Sequence, residues 1–262
     1  MEQTQLVILG SGYSARFLMP LALQQYGRVF ATSRRPDDHL ATVPKDRRFE
    51  FDLDRPETWG NIPSFADLLW CFPATPVERV RQCAARVNAS SRRIVVLGST
   101  SAYDIGDSQQ YPPPWIDETA PVDLRKSRVQ GEEWLRNECG AIVLRVAGIY
   151  GPGRNPLDWI RQGRVGPSRK YVNLIHVEDL ASICLAALKR GNPGEVYNVS
   201  DGVPYTWDEI YRTARDRWNL AWIPERPNQE TGKRIDTRRL RGSLGELIQH
   251  TDLFTALEAI NL

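Results

Sequence analysis

The feature that most constrains this chain is an alternation of two hydrophobic patterns. Short, mostly continuous apolar runs fall at residues 5–9, 28–32, 48–51, 68–72, 94–97 and 141–146, and amphipathic stretches such as 77–88 and 124–137 lie between them. A strand that is apolar at successive positions is buried on both faces, as in a parallel sheet covered by helices. Strands alternating with helices predict an α/β fold, a doubly wound parallel sheet with right-handed crossovers and a ligand site at the carboxyl ends of its strands. Pro20 lies inside the first helical segment and predicts a kink there, because it removes a backbone hydrogen bond.

After about Gly151 the pattern changes. A loop rich in Gly, Pro and Arg (151–170) precedes a strand at 171–177, a helix at 178–189, a strand at 196–199 and a helix at 206–219. Thr206 and Glu209 open that last helix as a capping box. A polar stretch at 224–233 reads as loop, and a final helix is expected near 252–260. Residues 1–150 therefore form the main sheet domain and 151–262 a smaller C-terminal lobe, with 171–200 expected to return to the core.

The strongest chemical signal is Gly10-Ser11-Gly12-Tyr13-Ser14-Ala15, which follows the first strand directly and opens the first helix. Gly10 permits a tight turn, Gly12 the close approach of a pyrophosphate, and Ala15 close helix–strand packing. Tyr13 and Ser14 begin a helix whose free N–H groups and positive dipole end face the phosphates. In that context the sheet reads as a Rossmann domain for a dinucleotide. The end of the second strand selects which one. NAD sites usually carry an acidic residue about 20 residues after the glycines. Here the strand ends in Ser33-Arg34-Arg35, and the next carboxylate is Asp37. Guanidinium groups suit a 2′-phosphate, so NADP(H) is the expected cofactor. A flavin or S-adenosylmethionine on the same turn would leave both arginines without a purpose. Asp52, ending the third strand, either accepts a hydrogen bond from the adenine amino group or shapes the turn that it opens. Phe72, Pro73 and Ala74 end the fourth strand and should line the cofactor through backbone contacts.

Composition narrows the partners. Lys plus Arg number 34 against 32 Asp plus Glu, a formal charge of +2, so the chain lacks the basic field of a nucleic-acid binder. No apolar run approaches the roughly 18–20 residues of a membrane span. Glu2 precedes an immediate strand, unlike a signal peptide, so a cytoplasmic location is expected. Cys71, Cys83, Cys139 and Cys184 are scattered without a C-x-x-C pair, and only three histidines are present, which argues against a disulfide framework and a metal site. The eight tryptophans read as core and subunit-interface packing, which leaves a homodimer open.

Three later stretches resemble the extended short-chain dehydrogenase/reductase family, the NAD-dependent epimerase/dehydratase relatives, in order and spacing. They are Leu144-Arg145-Val146-Ala147-Gly148-Ile149-Tyr150-Gly151-Pro152-Gly153, Leu174-Ile175-His176-Val177-Glu178-Asp179-Leu180-Ala181 and Val196-Tyr197-Asn198-Val199-Ser200-Asp201-Gly202. The length and glycine spacing are similar to the small atypical branch of that family. The resemblance implies that Ser99, with Thr100 as the alternative one register on, hydrogen-bonds a substrate oxygen. The family's YxxxK helix, aligned on Glu132, puts Arg128 at the lysine and Leu124 at the tyrosine. An arginine keeps the charge and the ribose hydrogen bond but cannot transfer a proton, and Leu124 has nothing to titrate. Tyr103 is then the candidate acid, with packing as its competing role. The resemblance also makes His176 and Asp179 structural and gives Arg145 the anchoring of its strand.

The loop from Arg154 to Lys170 carries five basic residues against Asp158, and by resemblance it borders the substrate, which suggests a small anionic substrate, phosphorylated or nucleotide-linked, with a merely solvated basic loop as the competing reading. The proline-rich insertion at 109–115 could form a stiff lid. Two functions follow: an NADP-dependent oxidoreductase or epimerase-like enzyme with non-standard catalytic residues, or an NADP(H)-responsive regulator that has lost catalysis.

Overall fold

Leu6 and Ile8 pack into one apolar cluster and Val7 and Leu9 into another, so the first strand is buried on both faces. The period-2 geometry of a strand divides its side chains in this way. The structure, a computed structural model, describes residues 4–87, 93–222 and 230–261. In chain order the first elements are β1 (Gln5–Leu9), α1 (Tyr13–Leu23), β2 (Arg28–Ser33), α2 (Pro36–His39), β3 (Arg48–Glu50), β4 (Asp67–Trp70), α3 (Val77–Val87) and β5 (Ile94–Ser99). A short β6 (Trp115–Ile116) leads to α4 (Ser127–Cys139) and β7 (Ile142–Val146). Next come β8 (Gly148–Tyr150), α5 (Pro156–Arg161), β9 (Tyr171–Val172), β10 (Leu174–His176), α6 (Val177–Arg190) and β11 (Val196–Val199). The remaining described elements are β12 (Tyr205–Thr206), α7 (Trp207–Trp218), β13 (Arg234–Ile235), α8 (Arg238–Leu244) and α9 (Leu253–Asn261).

The main sheet has seven strands in the order β11-β7-β5-β4-β1-β2-β3, every neighbouring pair parallel. Strand order reverses at β1, between β2 and β4, and that crevice is where a doubly wound sheet binds its ligand. Helices cover both faces: α1 and α6 bury Leu18, Ala22, Leu180 and Leu188 on one side, while α3 and α4 bury Val80, Ala84 and Leu135 on the other. A third cluster, including Tyr150, Leu157, Trp207, Ile210 and Leu257, holds the smaller lobe. β11 comes from the second half of the chain and forms the edge of the main sheet.

Several boundaries differ from the expectation. The strand expected at 171–177 is two strands, β9 and β10, broken at Asn173, whose side chain donates to the Lys233 carbonyl (2.8 Å) and accepts from the Ile235 N–H (2.9 Å). The third strand stops at Glu50, which leaves Asp52 in the following turn. Helix α1 continues through Pro20. Helix α4 starts at Ser127, not 124: the Asp123 N–H is spent on the Ala102 carbonyl (2.7 Å), a turn closes from the Lys126 N–H to the Asp123 carbonyl (3.1 Å), and Lys126 itself is extended. The capping box of Thr206 and Glu209 is present at α7. Asn88 and residues 224–229 of the expected loop lie outside the described residues. Among the described residues no helix is long and apolar enough to cross a membrane.

Candidate functional site

The glycine turn joins β1 to α1 and is pinned to β2. Gly10 has φ +82°, a left-handed conformation suited to glycine, and its N–H donates to Thr32 Oγ1 (3.0 Å). Ser11 ties the turn to the same residue: its N–H donates to the Thr32 carbonyl (2.9 Å), and its Oγ accepts the Thr32 N–H (3.2 Å). A Cβ on Gly12 would meet nothing within 4 Å, so the start of α1 is open for a ligand to approach the backbone. Ala15 is buried beneath it, and Ser14 is half-buried. Tyr13 extends across the opening and donates to the Pro152 carbonyl (3.1 Å), with the Arg154 guanidinium 5.6 Å from its ring centre.

At the end of β2, Arg34 and Arg35 are exposed, and Arg35 faces Asp38 at 3.8 Å. Ser33 Oγ contacts His39 Nδ1 (2.8 Å) and accepts the Arg35 N–H (3.2 Å), which folds the chain into α2. Asp37, the first carboxylate after the strand, is held by Arg48 (2.8 Å). Asp52 Oδ1 accepts the Asp54 N–H (3.0 Å), the turn-forming role for this residue.

A cavity of about 430 Å³ opens at the β1–β4 crevice. Its walls include Gly10, Gly12, Tyr13, Ser14 and Ala15 on one side, Phe72 and Pro73 below, and Ser99, Arg128 and Arg154 beyond. Ala74 is buried outside this lining. Cys71 also lines the cavity, and burial pushes its thiol up to about 12, which makes it inert at neutral pH.

Ser99 ends β5. Its Oγ accepts the Ser101 N–H (3.1 Å) and donates to Ser101 Oγ (3.3 Å), which in turn accepts from Arg128 Nη2 (3.2 Å). Ser99 and Arg128 are thus joined through Ser101, a residue that sequence reasoning passed over. Thr100 is buried and faces a second cavity. Leu124 is 56% exposed and lies before α4, so it shares no helical turn with Arg128 as the alignment required. Tyr103 is 4% exposed; its phenol donates to Asn198 Oδ1 (2.7 Å) and accepts from Arg145 Nη1 (2.8 Å). Burial raises its pKa further, so the acid expected from sequence has its hydroxyl fully engaged in packing. Arg145 is likewise committed, with Nη2 on Glu133 (2.9 Å).

The second cavity, about 1070 Å³, adjoins the first at Gly148, which lines both. Trp115, Trp159, Tyr171 and Trp207 wall it, and Pro113 and Pro114 place the proline-rich insertion along its rim. Here Lys233 donates to the Thr100 carbonyl (3.1 Å) and is paired with Asp104, which also holds Lys126 Nζ at 3.1 Å. Burial lowers the pKa of Lys233. Residue type alone gave no signal for Lys233, because 129 residues separate it from Asp104. Of the basic loop, only Lys170 among its five cations lines the cleft. Arg161 pairs with Asp158, Lys170 with Glu230, Arg169 stacks on the Tyr111 ring (3.7 Å), and Arg154 faces the first cavity. Asp104, Asp107, Asp117 and Glu230 line the cleft against Lys170 and Lys233, so acid outnumbers base there.

His176 caps α6 through the Glu178 N–H (3.4 Å) and stacks on His250 (3.7 Å between ring centres). The His250 Nδ1 lies 3.0 Å from buried Asp179. Glu178 lies 3.9 and 3.7 Å from the two imidazoles, and these contacts fix the segment before α9 onto α6.

Fold and site together define a doubly wound parallel-sheet protein with a cavity at its glycine turn and a second, adjoining cleft. No protein-family model matches the chain. Protein YeeZ of Escherichia coli K12 is 31% identical over 169 residues, 61% of this chain and 59% of YeeZ, so the match spans less than two thirds of that relative. A conserved protein of unknown function from Silicibacter pomeroyi is 27% identical with a TM-score of 0.76, covering 98% of each chain. A Methylobacillus flagellatus protein described as an NAD-dependent epimerase/dehydratase is 24% identical with a TM-score of 0.79 over 98% of this chain and 97% of its own. A short-chain dehydrogenase/reductase superfamily protein of Agrobacterium tumefaciens, solved with bound NAD, is 14% identical with a TM-score of 0.76 over 98% and 95%. The fold is therefore that of the NAD-dependent epimerase/dehydratase and short-chain dehydrogenase/reductase proteins.

Proposed function

We propose that the chain binds NADP(H) in the smaller cavity and acts on a small polar substrate in the adjoining cleft, as an oxidoreductase or epimerase/dehydratase-like enzyme. The observation that carries this reading is the meeting of the two cavities at Gly148, with Ser99 on the cofactor side and Thr100 on the substrate side. The bound nicotinamide would supply hydride exchange. Gly12 and the start of α1 offer open backbone to the pyrophosphate, and Arg34 and Arg35 offer two exposed guanidiniums to a 2′-phosphate. Asp37 is occupied by Arg48, which supports NADP over NAD. In this reading Ser99 would bond a substrate oxygen and Arg128 would hold the nicotinamide ribose. With the Tyr103 hydroxyl engaged, Lys233, which reaches that turn from the C-terminal segment through the Thr100 carbonyl, is the titratable group that would handle the proton.

Calorimetric titration of the wild type and an Arg34→Ala/Arg35→Ala variant with NADPH and NADH tests the cofactor. Losing charge-assisted bonds worth about 1.5–3 kcal/mol should weaken NADPH about 10- to 100-fold and leave NADH unchanged. Tighter NADH binding by the wild type overturns the NADP assignment. Tight NADPH binding with no oxidation by any of a panel of carbonyl compounds favours the regulatory reading, which the engaged Tyr103 phenol also supports.

A further inference from the structure

Glu132 lies one helical turn beyond Arg128 on α4, beneath the end of β5. Its side chain is 2% exposed, and a Cβ on Gly98 would come within 2.7 Å of Oε2, so β5 leaves room for the carboxyl and nothing more. Oε1 is buried without a hydrogen bond; Arg128 Nε stands 3.3 Å away, within ion-pair range but off the hydrogen-bond direction. The charged groups facing it are Arg128 and Glu133 on its own helix and Arg145 from β7. Glu133 and Arg145 are bonded to each other (2.9 Å), and Glu133 also holds Arg136 (2.7 Å). Arg128 is thus the one close counter-ion of Glu132 among the described residues. Its other end reaches Ser101 Oγ (3.2 Å) and, through it, Ser99.

A carboxyl in this position has two states that the cavity can distinguish. Ionised, it holds the guanidinium back toward α4. Protonated, it releases that charge toward the cavity wall formed by Gly98, Ser99 and Arg128. An anionic ligand in the cavity displaces water and adds negative charge nearby, and both effects favour the protonated carboxyl. We propose that Glu132 is a positioning residue of the cofactor site, which aims Arg128 and takes up a proton when an anionic dinucleotide fills the cavity. The proposal rests on the cofactor reading above. Burial pushes the carboxyl up to about 7, so both states are available near neutral pH.

The test is calorimetry of the full chain with NADPH at pH 7.5, in phosphate and in Tris, which differ in ionisation enthalpy. The wild type should take up a fraction of a proton more than Glu132→Gln; the 2′-phosphate titrates equally in both and cancels. NADPH affinity should fall with rising pH more steeply in the wild type, by up to tenfold per pH unit. Equal proton uptake in the two proteins overturns the proposal. If the variant fails to fold, infrared difference spectra of the wild type on adding NADPH decide: a gained protonated-carboxyl band supports the proposal, and its absence overturns it. No NADPH binding by the wild type overturns the cofactor reading first, and this one with it.

Discussion

Tyr103 carries two buried bonds on one hydroxyl, and each partner would be left unmatched without it. Arg145 donates to that oxygen and Asn198 accepts its proton, while Asn198 Nδ2 also reaches the carbonyls of Ile116 (3.3 Å) and Asp236 (3.2 Å). A single phenol therefore links the turn after β5, strand β7 and strand β11. Tyr103→Phe keeps the ring and removes the hydroxyl, so it should cost about 1–3 kcal/mol, the penalty of an unsatisfied buried polar group. Urea unfolding measures the loss, and NADPH affinity should not change. If instead stability holds and turnover disappears, Tyr103 is the acid after all. The sequence placed Tyr103 beside Ser99 but could not show how it is used, because its partners are 42 and 95 residues away. The geometry at Gly10, Gly12 and Ala15 was legible for the opposite reason: the shape of that turn follows from a six-residue spacing and the strand and helix beside it.

Among the elements, α4 is the one whose placement controls the site, since it brings both Arg128 and Glu132. It approaches the loop after β4 so closely that a Cβ on Gly131 would lie 1.9 Å from the Ala74 carbonyl oxygen. That atom is backbone and cannot rotate away. Gly131→Ala should therefore shift the helix outward and cost at least the roughly 1–3 kcal/mol of an overpacked core, despite the gain in helix propensity. A lower urea midpoint together with weakened NADPH binding checks this, and an unchanged midpoint would show that the contact can relax. The apolar positions Val129 and Leu135 made the body of this helix readable from its sequence. Its start was not readable, because Asp123 and Lys126 are held by the turn after β5 through the Ala102 (2.7 Å) and Ser101 (2.5 Å) carbonyls. Long-range bonds of this kind leave no periodic trace. The same holds for β9 and β10, where one asparagine side chain interrupts a run that reads as continuous.

For the molecule as a whole, sheet and smaller lobe meet at Asp201, just beyond β11. It is fully buried; its N–H donates to Leu174 of β10 (2.8 Å), its carbonyl accepts from Arg241 of α8 (3.1 Å), and its Oδ1 accepts from Val203 (2.9 Å). Oδ2 is buried with no hydrogen bond. Desolvation pushes the Asp201 carboxyl up to about 7, and Glu132 shares that position. Each binds a proton in the folded chain at pH values where the unfolded chain, near pH 4, has already lost it. Their stabilising contribution is thus full below pH 4 and is lost as pH rises through about 7. His176 works in the other direction: burial and the neighbouring His250 lower its pKa, so its contribution is lost as pH falls below its unfolded value near 6.5. Two carboxyls raised by this much outweigh one lowered imidazole. The thermal midpoint should accordingly be higher at pH 5.5 than at pH 8. Asp201→Asn stays neutral at both pH values and can still accept the Val203 N–H, so the difference should narrow by raising the midpoint at pH 8. A profile identical to the wild type would mean that Asp201 is ionised in the folded protein at neutral pH, and that Arg241 compensates a charge buried at the junction of sheet and lobe.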